Sequence, residues 1–285
     1  MFVLKERDNP VKSLDRGVFQ RNKRRNCAGF LVILVITALV MILFIQAKNT
    51  GRTITEKAFQ KTGTDAQAIF GYISEKEITA IAGHPAVKGM EVQVSEKEGG
   101  HRLTAFVYLR SDRNIKKSVD NILGDLGIKN LSWQVNPAYL SGTRARIAQK
   151  SVPFYLGAIP VLTAGHWLLM EILRKSAVKD RPLYRQLLSL GMTKTQWSRM
   201  LQGQVDRLCL AAIPAGLLTG AWTGSILAGY YGEKIKGIYI SAWNPMILAG
   251  AAVVSWITVR SACLHLNRQI EKSKKSKKQQ RGNVL

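Results

Sequence analysis

The stretch from Cys27 to Ala47, CAGFLVILVITALVMILFIQA, holds 21 residues with no charge and only Thr37 and Gln46 as polar interruptions. At about 1.5 Å of rise per residue, a helix of that length crosses a hydrocarbon core about 30 Å thick. A secretory signal peptide is the rival reading, but its apolar core runs only about 7–15 residues behind a short basic lead. Here 26 residues come first, and Ile45-Gln46-Ala47 makes a poor cleavage site. The segment reads as a retained anchor.

Three further stretches carry the same signature. Val152 to Leu173 contains His166 and Glu171, Leu208 to Tyr231 has no charge, and Ile240 to Cys263 has only Arg260, near enough its end to snorkel. The expected fold class is an α-helical multi-pass membrane protein. Its four transmembrane helices lie at residues 27–47, 152–173, 208–231 and 240–263.

With 42 Lys and Arg against 18 Asp and Glu, the chain has a net charge of +24. By itself that balance would raise a nucleic-acid partner. Basic residues beside apolar stretches instead mark the cytoplasmic side of a membrane, so no nucleic acid is expected. The tail 1–26 ends in Arg21, Lys23, Arg24 and Arg25. The segment 174–207 holds Arg174, Lys175, Lys179, Arg181, Arg185, Lys194, Arg199 and Arg207. The tail 264–285 carries Arg268, Arg281 and the Lys272 to Lys278 run, a solvated tail suited to anionic lipid. The turn at 232–239 has only Lys234 and Lys236 beside Glu233. Both termini and the 174–207 segment are therefore expected on the cytoplasmic side of the cell membrane, with residues 48–151 outside. Lys48, Arg52, Arg144, Arg146 and Lys150 flank spans on the outer side against the trend, but a long outer region translocates largely regardless of its charge.

The outer region reads as a small α+β domain. A strand at Ala66 to Tyr72 precedes Ser74-Glu75-Lys76-Glu77, which fits a capping box opening a helix with Ile78 and Ile81 on one face. Val87 to Ser95 alternates Val87, Gly89, Glu91, Gln93 and Ser95 against Met90, Val92 and Val94, predicting a strand with one buried face. A turn at Glu98-Gly99-Gly100 leads to a strand at Leu103 to Leu109. Ser111-Asp112 then caps a helix built on Ile115, Val119, Ile122, Leu123 and Leu126, Gly127 ends it, and Leu131 to Val135 offers a fourth strand. The order is βαββαβ, the split βαβ arrangement with two helices on one face of an antiparallel sheet. Lys48 to Gly63 and Tyr139 to Lys150 are read as helical stalks continuing the first two spans. Cys27, Cys209 and Cys263 all lie at span ends, so no disulfide staples this domain.

The segment from Asp180 to Gln204 is the most informative on the inner side. Pro182 suits the first turn of a helix, Leu183, Leu187 and Leu190 share a face, and Gly191 breaks it. Thr193 or Thr195 restarts a helix that carries Trp197, Met200 and Leu201. A short helix so placed either docks in a groove on another protein or lies on lipid. In the third span Ala212, Gly216, Gly220, Gly224 and Ala228 recur every four residues. Such a face lets helix backbones approach closely, either within the chain or as a dimer seam.

Tyr184-Arg185-Gln186-Leu187-Leu188-Ser189-Leu190-Gly191-Met192-Thr193, followed by Gln196 and Gln204, resembles the corresponding loop of the FtsX-like permeases of ABC transporters, the broad group that includes MacB-type exporters. That loop typically runs Tyr-Gly-Leu-Leu, a base, then Ile or Leu, Gly, Ala or Met, Ser or Thr, with a later Gln and a closing acid. Here Arg185 or Gln186 replaces the first glycine and Gln204 the closing acid. Lys61-Thr-Gly-Thr-Asp-Ala66, the run from Ser74 to Gly89, Asn136-Pro-Ala-Tyr-Leu140 and Asn22-Lys-Arg-Arg-Asn26 are similar to the Firmicutes branch. The resemblance implies a permease subunit whose inner segment couples to a cytoplasmic ABC ATPase through Tyr184, Leu187, Leu188, Gly191, Met192, Thr193 and Gln196. It further implies a homodimer, or a heterodimer with another permease, and mechanical transmission to the outer domain for export or extraction of a peptide, antibiotic or lipid-linked molecule. Many members of that branch carry a second membrane half. A single-unit permease and a shortened copy both stay open. The alternatives are an FtsX-type division scaffold that activates a wall hydrolase, and a membrane anchor or sensor without an ATPase.

No G-x-x-x-x-G-K-[ST] loop is present, so ATP hydrolysis is assigned to a partner and the chain is not expected to be an enzyme. His84, His101, His166 and His265 show no ligand spacing, and neither metal nor cofactor is expected. Glu171 reaches water or pairs with Arg174 across one turn, and His166 reads as a hydrogen-bonded neutral imidazole rather than a proton relay.

Overall fold

The computed structural model describes residues 17–97, 100–189, 191–232 and 244–282. The turn at Glu98-Gly99, Leu190 and the 233–239 turn with Lys234 and Lys236 lie outside the described residues. In chain order the elements are α1 (Lys23–Thr62), β1 (Ala68–Gly71), α2 (Glu75–Ala82), β2 (Val87–Lys97), β3 (Gly100–Leu109), α3 (Ile115–Asp125) and β4 (Ser132–Val135). A 3-10 turn at Pro137–Tyr139 leads to α4 (Ser141–Lys179), α5 (Arg181–Ser189), α6 (Lys194–Gly232) and α7 (Pro245–Gly282). The chain is mostly helical, with a small sheet and four helices long and apolar enough to cross a membrane. The described residues fall into two compact units, one holding those up to Ala47 and from Pro153 onward, the other Lys48–Val152.

In the helical unit α1 is the central element. Ile33, Ile36, Thr37, Val40, Met41 and Ile45 recur at helical spacing and are buried, while Leu31, Val35 and Leu39 on the other side are exposed. The buried stripe packs with Leu169 of α4, Cys209, Ala212 and Ile213 of α6, and Ala251, Val259 and Ala262 of α7. Thr37 is satisfied within its own helix, its hydroxyl donating to the Ile33 carbonyl at 2.8 Å. Pro153 and Pro160 lie inside α4 and Pro214 inside α6. α7 continues past the apolar stretch into the basic tail as far as Gly282.

The second unit has the expected element order. The sheet runs β2-β3-β1-β4 with every neighbour antiparallel, the split βαβ topology. Its main core joins Phe70, Ala105, Val107 and Leu109 of the sheet to Ile81 of α2 and Ile115, Val119 and Ile122 of α3. Ala66, Ile69 and Phe106 form a smaller cluster with Tyr108. Ser74 caps α2 through the expected box: its hydroxyl accepts from the Glu77 N–H, and the Glu77 carboxylate accepts from the Ser74 N–H at 2.8 Å.

Two local expectations are corrected. Val87 does not oppose Met90, Val92 and Val94. A register shift between Val87 and Gly89 pairs Val87 with Leu109 and Met90 with Val107, bringing Val87 onto their face. The extra residue of a bulge reverses the side-chain parity that simple alternation assumes. Val92 and Val94 are themselves exposed. Nor do Ser111 and Asp112 cap α3. The cap position is Asn114, at φ 52° and without a side-chain cap bond. The Asp112 carboxylate instead accepts from Gln67 Nε2 at 2.6 Å. At the other end of α3 Gly127 stands at φ +65° and the Ile128 N–H reaches back to the Leu123 carbonyl at 3.0 Å, the αL closure that favours glycine.

Two motifs that carry the family resemblance meet at the base of this unit. Asn136 is fully buried and donates through Nδ2 to the carbonyls of Thr64 (3.0 Å) and Ala66 (2.9 Å), while its Oδ1 accepts from the Ala138 N–H. Tyr139 donates to the Asp65 carbonyl at 3.0 Å and packs its ring 5.9 Å from Phe59. The helical continuations of α1 and α4 in this unit also lie close: a Cβ on Gly51 would stand 3.2 Å from Ile147.

Candidate functional site

The Asp180–Gln204 segment folds as a helical hairpin with a core of its own. α5 turns Leu183, Tyr184 and Leu187 half-inward, against Val18 and against Trp197, Met200 and Leu201 of α6. The rings of Tyr184 and Trp197 stand 5.0 Å apart at 52°. Gly191 makes the corner at φ +90°, and the Met192 N–H donates to the Leu187 carbonyl at 3.0 Å. That bond closes α5 as a Schellman motif, and Leu187 and Met192 on either side of it pack against the same apolar cluster. Of the two possible restarts, Thr193 is used. Its Oγ1 accepts from the Gln196 N–H (3.3 Å) and Gln196 Oε1 accepts from the Thr193 N–H (2.8 Å), a reciprocal capping box.

The candidate coupling residues therefore separate by role. Tyr184, Leu187 and Met192 hold the hairpin's core, Gly191, Thr193 and Gln196 shape its corner, and Leu188 lies in α5. The surface that α5 turns outward is made instead by Pro182, Arg185, Gln186 and Ser189.

A polar node joins the hairpin to α1. Arg25 donates from Nη1 to Ser176 Oγ (3.0 Å), from Nε to Asn26 Oδ1 (3.0 Å) and from Nη2 to Gln204 Oε1, and its Nη1 stands 3.7 Å from the Asp180 carboxylate. Asp180 also accepts from Asn22 Nδ2 (3.1 Å) and Ser176 Oγ (3.2 Å). The ion pair is well shielded, with 11 % and 12 % of the two side chains exposed, and Gln204 is 2 % exposed. Counting charges missed this node because Arg25 entered only as one base in a basic tail. A signal was available: Asp180 is the one acid between Glu171 and Asp206, among seven bases.

The small-residue face of α6 is spent on α1. A Cβ on Gly216 would stand 2.7 Å from the Leu34 carbonyl oxygen, on Gly220 2.7 Å from that of Ala38, and on Gly224 2.7 Å from Ile45 Cδ1. This face is thus a packing surface within the chain, not a free seam. Elsewhere Arg260 pairs with Asp206 at 3.3 Å and lies over the Trp256 ring. Glu171 pairs with Arg174 at 3.0 Å. His166 Nδ1 lies 3.0 Å from Ser261 Oγ, as a hydrogen-bonded imidazole requires. Among the described residues no three His, Cys, Asp or Glu side chains gather where a metal ion could be held.

No family model matches this chain, and no curated protein matches it.

Proposed function

We propose that the chain is a multi-pass membrane protein with both termini cytoplasmic, working as the permease subunit of an ABC-type complex. A separate ATPase docks on the α5–α6 hairpin. Its nucleotide-driven motion passes along the long helices to the unit at Lys48–Val152, for export or extraction of a peptide, antibiotic or lipid-linked molecule. ATP hydrolysis belongs to the partner on this reading.

The observation that carries the proposal is the hairpin itself. Nine residues of α5 are held by a core shared with α6 and by a glycine closure, and turn Arg185, Gln186 and Ser189 outward. A helix lying only on lipid would turn its apolar face outward, whereas Leu183, Tyr184 and Leu187 are turned in. Membrane insertion is supported by the long helices. Only 17–39 % of each apolar window is buried within the chain, and Leu210, Trp222 and Tyr230 are 70–80 % exposed. Apolar surface on that scale has lipid as its natural solvent.

Purification in mild detergent, with photo-crosslinking to an ATP analogue, tests the proposal. An ATP-binding subunit is expected to co-purify. Arg185→Glu combined with Gln186→Glu, on the outward face, is expected to release it with the hairpin intact, and Gly191→Pro to release it by breaking the corner. Absence of any ATP-binding subunit from the parent preparation, or its retention in every variant, removes the coupling assignment.

A further inference from the structure

We infer that Arg25 is the positioning residue through which the hairpin moves α1, an inference that rests on the coupling role proposed above. Asp180 is the one residue between α4 and α5. Its N–H closes α4 on the Ser176 carbonyl (2.9 Å) and its own carbonyl accepts the first bond of α5, from the Tyr184 N–H (2.9 Å). An Asp at such a junction ordinarily caps the new helix with its carboxylate. Here the second helical residue is Pro182, which has no N–H to offer, and the carboxylate turns to Arg25, Asn22 and Ser176.

The same guanidinium holds Gln204, which lies on α6 beyond the corner. One side chain of α1 thus grips the hairpin before its first arm and along its second. A planar guanidinium with five donors can serve these partners at once in fixed directions, which a flexible ammonium cannot do. Gln204 brings an amide, not a carboxylate, to the guanidinium. The neutral amide keeps the hydrogen bond and leaves Asp180 as the charge partner in the node. Because α1 runs unbroken from Lys23 to Thr62, displacement of its first turn is delivered along the whole helix. Removing one partner leaves the other charge buried without its counterpart, so the hairpin loses its fixed placement on α1.

Spin labels at Gln186 on α5 and Leu31 on α1, in a background with Cys27, Cys209 and Cys263 replaced by Ala, test this in nanodiscs by pulsed EPR. The full chain is expected to show one narrow distance, and Arg25→Met and Arg25→Lys to lose it. Asp180→Asn is expected to broaden the distance, and adding Gln204→Glu to restore it by returning a carboxylate to the guanidinium. An unchanged narrow distance in both Arg25 variants overturns the inference, as does failure of Gln204→Glu to rescue Asp180→Asn. If Arg25→Met does not fold, Arg25→Lys and the rescue pair decide alone. With the ATPase bound, the parent chain is expected to hold the same Gln186–Leu31 distance as ATP is added, hairpin and α1 moving together, whereas Arg25→Lys keeps the subunit but loses that constancy. Loss of ATPase binding with the narrow distance intact overturns the inference. A parent chain with no ATPase strikes at the coupling role alone, and the distance widths still decide whether Arg25 fixes the hairpin to α1.

Discussion

At the scale of single residues, the glycines of α6 show how little room the long helices leave. Gly220 meets backbone: an added Cβ would sit 2.7 Å from the Ala38 carbonyl oxygen and 2.9 Å from its Cα, and neither can rotate away. Gly229 lies on the same helix with nothing within 4 Å. Gly220→Ala is therefore expected to destabilise the helical unit by about 1–3 kcal/mol, the usual range for overpacking, while Gly229→Ala leaves it unchanged. Thermal unfolding in detergent, followed by circular dichroism, reads the difference, and equal midpoints for the two variants would contradict the packing described. Asn136 makes the complementary point in the other unit. Three hydrogen bonds satisfy a fully buried amide, so its sequence motif records a structural duty at the base of that unit.

Two elements owe their ends to reciprocal caps, and both can be tested. In the hairpin, Thr193→Ala removes the acceptor of the Gln196 N–H and is expected to cost about 1 kcal/mol locally. Hydrogen exchange of the amides at 194–197 should accelerate, with α7 unaffected. In α2 the Ser74 hydroxyl and N–H hold the Glu77 carboxyl below its ordinary range. A carboxylate with a depressed folded pKa stabilises the helix above its unfolded value, and that contribution is lost as pH falls through the folded one. Protection of the amides at residues 75–82, taken relative to the unstructured-chain exchange rate at each pH, should therefore fall between about pH 5 and pH 3, and Ser74→Ala should flatten the dependence. Glu77 is half-buried and its bonds with Ser74 lie at the surface, so the effect is local fraying rather than unfolding of the unit.

For the whole molecule, the proposed topology separates two surfaces that aqueous reagents can distinguish. Lys117 on α3 and Arg185 on α5 are both exposed. In whole cells, a membrane-impermeant maleimide is expected to label Lys117→Cys directly and Arg185→Cys only after the membrane is opened. Labelling of both from outside would overturn the orientation. How the molecule could be read in advance follows the range of the interactions. The four apolar stretches, the capping box at Ser74 and the βαββαβ order were legible because each depends on neighbours within a few residues. The bulge beside Lys88 was not, since an inserted residue is defined only by its partner strand.

Sequence alone determined where helices could cross a membrane, which strands and helices alternate between them, and that Gly191 would break the inner helix. Composition, periodicity and backbone freedom are local properties. Tertiary structure decided what those elements are set against. It assigned the Gly216, Gly220 and Gly224 face to α1, chose Thr193 over Thr195, turned Tyr184 and Leu187 inward, and brought Arg25 to Asp180 and Gln204. Arg25 and Asp180 lie 155 residues apart in the chain, and no spacing rule reaches that far. Only the packing of α1 against the ends of α4 and α6 brings such charges together, and burial makes their pairing obligatory.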